Sequence, residues 1–380
     1  QTPNFVKPIP DALTTAFPVP VGKSLNFQPY EPLTIQGLSP DMRNTQVQQF
    51  NLSVQQQLPG KVALQVAWVG NATTHLLNYY PVNPAVFIPG TDAAGNALST
   101  VANTNSRRVL NLANPPAAGK PYLFGAVEVG ESGETSHYHA LQMEVRKNFS
   151  HGLNLLSSFT WGKAIDGASV SLANGLATPV AQNPYDRAAN RGLADFDQRR
   201  RLLTNFVYTT PSITRALGWN SNPVLTRLLD HWDLGSIFKL ADGFPFNVTS
   251  GVDYSRTGTG ADRPNLVGNP FLDTGRPRAQ KLAAYFNTTA FAANTVGTFG
   301  NFGRNVLIGP GSANVDFTAH KDFPISERLG KIQLRFEFFN FLNHPNFSNP
   351  GASLSAPTAI GKITAAADGR IVQFGAKYVF

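Results

Sequence analysis

The sequence predicts an all-β chain that forms an antiparallel up-and-down transmembrane β-barrel of about nine to ten strands. Three observations support this fold class. Several stretches alternate apolar and polar residues with the period of two that a strand requires. The connections between these stretches alternate between short and long, and the final stretch ends on an aromatic residue, Phe380.

The final stretch, residues 370–380, shows the alternation most clearly. The predicted outward-facing residues of this strand are Val372, Phe374, Ala376, Tyr378 and Phe380. A closing aromatic, an aromatic two residues earlier and apolar residues at alternate positions are typical of the C-terminal strand that serves as an insertion signal in outer-membrane proteins. The alternative is the closing strand of a soluble β-sandwich, although termini of soluble domains tend to be frayed and polar.

The composition narrows the possible function classes. Charged residues make up 14% of the chain, against roughly 25% in typical soluble domains. The chain has no Cys, which excludes disulfides, Cys-ligated zinc and thiol catalysis. The net charge is +8, but the basic residues are scattered and only Arg199-Arg200-Arg201 forms a run, so we predict no nucleic-acid partner.

No apolar run approaches the ~18 residues that a membrane helix needs. A closed β-barrel is therefore the remaining way to span a bilayer, because hydrocarbon tolerates no unpaired backbone groups. The chain begins at Gln1 rather than Met, so we expect a processed chain or a fragment.

The chain divides into a Pro-rich arm over residues 1–41 and a barrel segment over 42–380. The predicted strands cover 45–58, 61–71, 137–149, 153–163, 199–210, 231–247, 314–325, 331–343 and 370–380. A short helix is predicted near 224–229. The predicted long loops cover 77–136, 164–198, 251–313 and 344–369.

The alternation of loop lengths predicts how the barrel is oriented. In an up-and-down barrel, successive connections lie on opposite rims, so the longest loops collect on one rim. Outer-membrane barrels have short periplasmic turns and long external loops. The longest connections of this chain are therefore predicted to be external.

The two faces of the strands differ in the residues that they carry. We predict a wet lumen lined by the polar residues Glu144, Arg146, Asp316, Gln333, Arg335, Glu337 and Lys377. We predict an aromatic girdle at the membrane interface formed by Trp68, Trp161, Trp232, Phe317 and Phe323. The alternative is a soluble sandwich in which the apolar face forms the core, since alternation alone does not separate the two.

No residue cluster predicts catalysis, a cofactor or a metal. His137 and His139 share one face of a strand, but the spacing suggests no third ligand. Asp253 and Asp262 lie in a loop that could hold calcium, although they lack the density of an EF-type site and Asx turns explain them as well.

Several stretches resemble one known family. They are Trp68 to Leu76, Ser136 to Gln142, Asn148 to Asp166, Asn183 to Asp197, Gly243 to Phe246, Asp262 to Gly268, Gly297 to Pro310 and Arg335 to Phe347. In this order they resemble the C-terminal barrel of TonB-dependent receptors of the Oar-like group, which contain a carboxypeptidase-regulatory-like domain.

The resemblance implies a barrel of about twenty-two strands, filled by an N-terminal plug and energised through the TonB complex. The chain matches only the C-terminal part of that plan, without counterparts of the plug or the TonB-interacting segment. Where the family tends to show a His within an Asp-x-Arg-His-Arg stretch, this chain has Gln198-Arg199-Arg200-Arg201. No role of that His is carried over.

Two functional hypotheses follow. The first is the C-terminal barrel portion of an outer-membrane receptor for nutrient uptake, in a Gram-negative bacterium. Its expected partners are the bilayer, lipopolysaccharide and the remainder of the barrel and plug, with the TonB complex only where the N-terminal part is present. The second is a structural or surface-interaction protein, at the cell surface or outside it, in which copies associate through open strand edges into an oligomer, tube or fibre, because unpaired edges template association.

Overall fold

Nine long strands form the body of the protein. The structure is a computed structural model, and it describes residues 31–167, 169, 181–260, 262–326 and 328–380. The nine strands are β2 (Gln46–Leu58), β3 (Val62–Pro81), β4 (Phe124–Ser150), β5 (Leu153–Asp166), β7 (Arg200–Thr209), β8 (Asp233–Ala241), β13 (Ser312–Ser326), β14 (Gly330–Phe339) and β15 (Ile371–Val379).

These strands follow one another across a single sheet in the order β15-β14-β13-β8-β7-β5-β4-β3-β2. Every neighbouring pair along this path is antiparallel, as in an up-and-down barrel. The sheet is a partial barrel wall, because among the described residues β2 and β15 each pair with one long strand only. The predicted antiparallel fold class is confirmed.

The remaining strands are short. They are β1 (Leu33–Leu38), β6 (Gly192–Leu193), β9 (Pro245–Phe246), β10 (Asn265–Leu266), β11 (Phe291–Ala292) and β12 (Leu307–Ile308). β1 precedes β2, and the others lie within the connections. β1 pairs parallel with the first part of β4, which departs from the all-antiparallel prediction. β9 pairs with β12 and β10 with β11, as two small sheets outside the wall.

The α-helices of the described residues are short. They are α1 (Val109–Ala113), α2 (Ile213–Ala216), α3 (Pro223–Leu229) and α4 (Arg278–Ala283). Single 3₁₀ turns cover Asn105–Arg107, Ala188–Asn190 and Thr288–Ala290. None of the described helices has the length and apolar character needed to cross a membrane.

Two strands extend well beyond their predicted ends. β3 continues to Pro81 and β4 begins at Phe124, so the connection between them covers only residues 82–123 rather than 77–136. The extra residues pair with each other, from Leu76 opposite Glu134 to Pro81 opposite Glu128, and β1 covers the other edge of β4. Pairing with distant residues therefore overrides the turn-like composition of this stretch.

Two other strands end earlier than predicted, for local reasons. β8 stops at Ala241, because the chain at Gly243 passes so close to the carbonyl oxygen of Gly309 that a Cβ atom would lie 1.9 Å from it. β14 stops at Phe339, because Asn340 adopts φ 50°, the left-handed conformation that Asn tolerates better than most residues. Of the predicted arm over 1–41, residues 1–30 lie outside the described residues.

The connections at the two ends of the sheet differ in length. Short turns at 59–61 and 151–152 and the short connection between β13 and β14 leave from one end of the sheet, and residues 210–232 form a longer helical connection there. Connections at 82–123, 167–199, 242–311 and 340–370 leave from the other end. The turn between β4 and β5 has positive φ at both His151 and Gly152, which matches the twist of a two-residue hairpin.

Candidate functional site

Strand register divides the side chains of the wall into two faces. Residues paired across neighbouring antiparallel strands lie on the same face, so the face of each residue follows from its partners. Gln333 pairs with Lys377, His320 with Arg335 and Glu144 with Ser158. The register places on one polar face Glu144, Arg146, Asp316, Gln333, Arg335, Glu337 and Lys377.

The opposite, apolar face carries the aromatic residues singled out in the sequence. Trp68 and Trp161 both pair with Leu141, so these two indoles lie on one level of the sheet. The aromatic residues placed on the apolar face within strands are Trp68, Trp161, Phe317 and Phe323. Trp232 lies just before β8, with its ring 6.0 Å from the ring of Phe336 on the same face.

The apolar face is accessible rather than packed beneath a second layer. Leu52 of β2 and Phe374 of β15 are each 69% exposed, and Trp161, near the centre of the sheet, is 57% exposed. A soluble sandwich would bury such side chains between two sheets. Among the described residues, no second sheet covers this face.

The C-terminal strand presents its alternate residues to the apolar face. Val372, Phe374, Ala376 and Tyr378 pair with Phe338, Phe336, Leu334 and Ile332 respectively. The rings of Phe336 and Phe374 meet edge to face at 5.5 Å. Phe380 follows the strand with its ring 5.9 Å from that of Tyr378, and it is almost fully exposed.

Sequence reasoning missed the charged residues that the register places on the apolar face, which include Lys147, Lys163, Arg200 and Lys321. Lys321 pairs with Leu334, yet its side chain is buried. Its ammonium group lies 5.7 Å from the ring of Trp232 and 5.5 Å from that of Phe323, and it donates a hydrogen bond to the carbonyl of Asp230. The alternation of β13 would have placed Lys321 there, since it lies two residues from both Ala319 and Phe323.

A wide depression of about 690 Å³ lies on the polar face. Its lining includes Arg146 of β4 and Glu337 of β14, which are several strands apart, so the sheet curves around this face. Arg146 donates to Glu144 at 2.9 Å. Val207, Ile237 and Phe339 add apolar surface to the depression. The polar face therefore forms the concave side of the wall.

The long connections fold together into a structured unit, which we call the cap: residues 82–123, 181–199, 242–311 and 340–370, where described. Its centre is a buried cluster of Phe246, Val248, Phe286, Ala290, Phe291, Phe302 and Leu307. Phe291 meets Phe286 and Phe302 edge to face, at 5.7 and 4.9 Å. The cap thus has a hydrophobic core of its own.

Arg263 ties two of the cap connections together. Its Nε donates to the carbonyl of Phe302, Nη1 to Asn190 Oδ1 and Nη2 to the carbonyl of Ala189. Its backbone N–H donates to Gln182 Oε1. Burial, together with the nearby charge of Arg304, lowers the pKa of Arg263 to about 10.

Arg304 and Asn305 fasten the same connections to the end of the wall. Arg304 is buried and forms an ion pair with Asp166, the last residue of β5, and it also donates to the carbonyl of Leu193 at 3.1 Å. Asn305 donates to that same carbonyl at 2.7 Å.

A third connection joins the cap through Arg107. This buried guanidinium donates to the carbonyls of Val86, Thr100 and Arg256, and so links residues 82–123 to 242–311. An isolated bridge between Thr249 and Ser353 adds the fourth connection. Local sequence patterns do not reveal these partners, because they lie far apart along the chain.

The residues considered for metal binding do not converge. In the part of the chain that the structure describes, no group of three or more His, Asp or Glu residues could hold a metal ion. His139 stacks on Trp68 at 5.8 Å, and His137 lies 3.4 Å from Arg191. Asp262 accepts hydrogen bonds from Ser255 N and Oγ, and burial raises the pKa of its carboxyl despite them.

Comparisons with known proteins place the chain in a family. Residues 1–373 match the family described as "Outer membrane beta barrel domain". No curated protein matches the chain. Among solved structures, the outer membrane transporter YddB from Escherichia coli is similar at a TM-score of 0.46 and 8% identity, over 90% of this chain and 33% of that one.

A second similar structure is that of P. aeruginosa FpvA bound to heterologous pyoverdines, at a TM-score of 0.41 and 9% identity. The match covers 89% of this chain and 27% of that one, so the chain spans about a third or less of either solved protein. The family match extends over nearly the whole sequence and agrees with the antiparallel wall described above. The chain therefore belongs to the outer membrane beta barrel domain family, and the membrane in which it resides is the outer membrane.

Proposed function

We propose that this chain is the C-terminal barrel portion of a TonB-dependent receptor that takes up a nutrient across the outer membrane. In this proposal the apolar face contacts lipid, the polar concave face lines a wet lumen, and the cap lies on the external rim. The plug, the TonB complex and lipopolysaccharide are the partners that it implies. The proposal assigns no catalytic residue.

One observation carries the proposal. The strand register sorts the side chains of the nine long strands into one mainly polar face and one mainly apolar face, and the apolar face is accessible. In a bilayer such a face is solvated by lipid, whereas in water it would form a large apolar patch. The shared level of Trp68 and Trp161 is typical of an interfacial aromatic band.

The orientation of the faces is tested with lipid quenchers. The chain is refolded into phosphatidylcholine vesicles with and without brominated acyl chains, and the fluorescence difference between the native chain and Trp161→Phe reports on Trp161. We expect brominated lipid to quench this signal strongly. A Trp161 signal that aqueous iodide quenches and brominated lipid does not would contradict the orientation.

Transport itself is tested in the native host. The coding segment for this domain is deleted in frame, and uptake of labelled carbon, nitrogen and iron sources is compared with the parent strain. We expect loss of uptake of at least one nutrient, and we expect an uncoupler of the proton motive force to abolish that uptake in the parent. Uptake that is unchanged for all of them would contradict the proposal.

A second candidate is a structural assembly formed through strand edges. It is favoured by the edges of β2 and β15, which have no partner strand on their outer sides among the described residues. All residues of β2 are exposed. Mass measurement in detergent distinguishes the two candidates, because edge-to-edge association gives a series of multimers and a lone chain removes this candidate.

A further inference from the structure

The connection between β7 and β8 differs from the other connections at its end of the sheet. The others are turns at 59–61 and 151–152 and the short connection between β13 and β14, whereas residues 210–232 contain helices α2 and α3. Asn222 caps α3 by accepting hydrogen bonds from the backbone N–H groups of Val224 and Leu225. This connection is therefore an ordered helical segment rather than an irregular loop.

A buried carboxylate holds the two helices together. Asp230 accepts hydrogen bonds from Thr214 N and Thr214 Oγ1, both at 2.8 Å, and from the hydroxyl of Ser212. The strand ends are closed by Thr210 N donating to the carbonyl of Trp232 at 2.8 Å. These hydrogen bonds fix α2 and α3 relative to each other, so the exposed side chains on the two helices are also held in place.

Four large apolar side chains of this connection are exposed. Leu217 is 52% exposed, Trp219 50%, Val224 62% and Leu228 49%. Val224 and Leu228 are four residues apart and share one side of α3. In water such a cluster has a free-energy cost, so its presence on a rigid element indicates an apolar environment.

The cluster is continuous with the apolar face of the wall. Trp232 lies on that face against Phe336, and its Nε1 donates to the carbonyl of Leu228 at 2.9 Å. Lys321, also on that face, donates to the carbonyl of Asp230. The helical connection therefore packs beside the apolar face, at the end of the sheet that carries the short turns.

The charges of the connection match an anionic surface. Arg215 and Arg227 are exposed on α2 and α3, and residues 211–229 contain no Asp or Glu. Arg227 also donates to the carbonyl of Pro324 at 3.1 Å, which keeps its guanidinium beside the end of β13. Apolar side chains next to arginines are typical of helices that lie in the membrane interface.

We propose that residues 210–232 are an interfacial lipid-binding element of this barrel. Leu217, Trp219, Val224 and Leu228 insert among the acyl chains of the leaflet at the short-turn rim, and Arg215 and Arg227 bind the phosphates of its phospholipid headgroups. The inference rests on the proposed orientation of the apolar face toward lipid. It adds that residues 210–232 attach the short-turn rim of the barrel to the adjacent leaflet.

The test follows Trp219 in vesicles. The difference in fluorescence between the native chain and Trp219→Phe reports on Trp219, in vesicles whose phosphatidylcholine is brominated either near the headgroup or deep in the chains. We expect strong quenching by the shallow quencher and weaker quenching by the deep one. Trp161, measured in the same way, shows whether the wall itself is embedded.

The outcomes separate the two proposals. Quenching of Trp161 without quenching of Trp219 overturns the interfacial element and leaves the orientation of the wall intact. Quenching of neither residue overturns both. If Trp219 escapes quenching and Leu217→Ser/Val224→Ser/Leu228→Ser lowers the mass of the detergent-solubilised particle, the cluster is a contact between copies of the chain, which also overturns the proposal.

The arginines are tested by lipid preference. Native Trp219 should be quenched more by brominated phosphatidylglycerol than by brominated phosphatidylcholine at equal content. Each basic residue near an anionic surface contributes about 1 kcal/mol, so Arg215→Gln and Arg227→Gln should each reduce this preference about fivefold. The matched control is Arg278→Gln in the cap, and an equal loss of preference in that variant would contradict the role of the two arginines.

Discussion

Arg263 shows how single residues hold the cap together. Its guanidinium is buried, and it donates to the carbonyls of Phe302 and Ala189 and to the side chain of Asn190. Hydrogen bonds to charged groups contribute about 1.5–3 kcal/mol, and buried acceptors that lose their donor are costly. Arg263, which lies in the stretch Asp262 to Gly268, therefore has a structural role: it holds two cap connections together.

We expect Arg263→Met to destabilise the cap by about 2–4 kcal/mol, because the buried acceptors of Phe302 and Asn190 and the part-buried carbonyl of Ala189 lose their donor. Limited proteolysis should then cut within 181–199 and 242–311 earlier than in the native chain. Arg278→Met is the control, since Arg278 is exposed on α4. Equal cleavage of the two variants would show that Arg263 does not fasten these connections.

Asp230 gives the 210–232 connection a defined response to acid. Although burial opposes ionisation, hydrogen bonds from Ser212 and Thr214 lower the pKa of Asp230 to about 2. Its usual value is about 3.9, so the unfolded form binds more protons between these values. The stability that Asp230 contributes is therefore present above about pH 4 and lost as the pH falls toward 2.

Acid titration of Trp219 and Trp232 fluorescence checks this expectation. The native chain should lose the folded signal of the connection as the pH falls from about 4 to 2, and Asp230→Asn should weaken that pH dependence. Asp41→Asn, at an exposed position, should leave it unchanged. An acid transition that is identical in all three proteins would rule out Asp230 as its source.

At the scale of strands, neighbouring residues should respond oppositely to charge. Phe206 and Asn205 are adjacent in β7 but lie on the apolar and polar faces. An arginine on the lipid face of a barrel costs about 2–4 kcal/mol at the bilayer midplane. Phe206→Arg should therefore lower the free energy of unfolding from vesicles by that amount, and Asn205→Arg should change it little.

Urea unfolding of the chain in phosphatidylcholine vesicles, followed by tryptophan emission, measures both variants. The two substitutions are matched in residue type and position along the strand. A larger loss for Asn205→Arg than for Phe206→Arg would mean that the faces are reversed.

Alternation predicted the nine long strands because each has its own period of two, as in β14, where Phe336 and Phe338 flank Glu337. It did not predict the first half of β4, where glycines and serines read as a loop and pairing with β3 and β1 decides the structure. Helix α3 was predicted near its observed place. Its lipid-facing role depends on neighbours that the local pattern does not contain.

At the scale of the whole molecule, the buried hydrophobic cluster lies in the cap, whereas the apolar face of the wall is accessible. The cap core brings Phe246 next to Phe286 and Phe291 next to Phe302. These partners lie within the connection 242–311, which has no periodic pattern, so the sequence predicted a long connection but not its folded core. The contacts of Arg107 and Arg263 were hidden for the same reason, since their partners lie in other connections.

Removing the ring of Phe291 should destabilise the two cap connections that meet at the buried cluster, 242–311 and 340–370. Phe291→Ala is expected to cost about 3–5 kcal/mol, because it leaves a cavity between two edge-to-face partners. Amide hydrogen exchange should then increase throughout 242–311 and 340–370, while the ladders of β7 and β8 stay protected. Phe271→Ala, at an exposed position of the cap, is the control.

An increase confined to the residues that touch Phe291 would instead show that the connections fold independently.

The hydrogen bonds that join the long connections to one another have a consequence for how the protein can diversify. A connection transplanted alone from a relative would arrive without the acceptors that Arg107 and Arg263 contact in other connections. Chimeras that exchange one connection should misfold, whereas chimeras that exchange all four as a set should retain a folded exterior. New ligand preferences would then arise by substitutions on the outer surface of an inherited cap, rather than by shuffling individual loops.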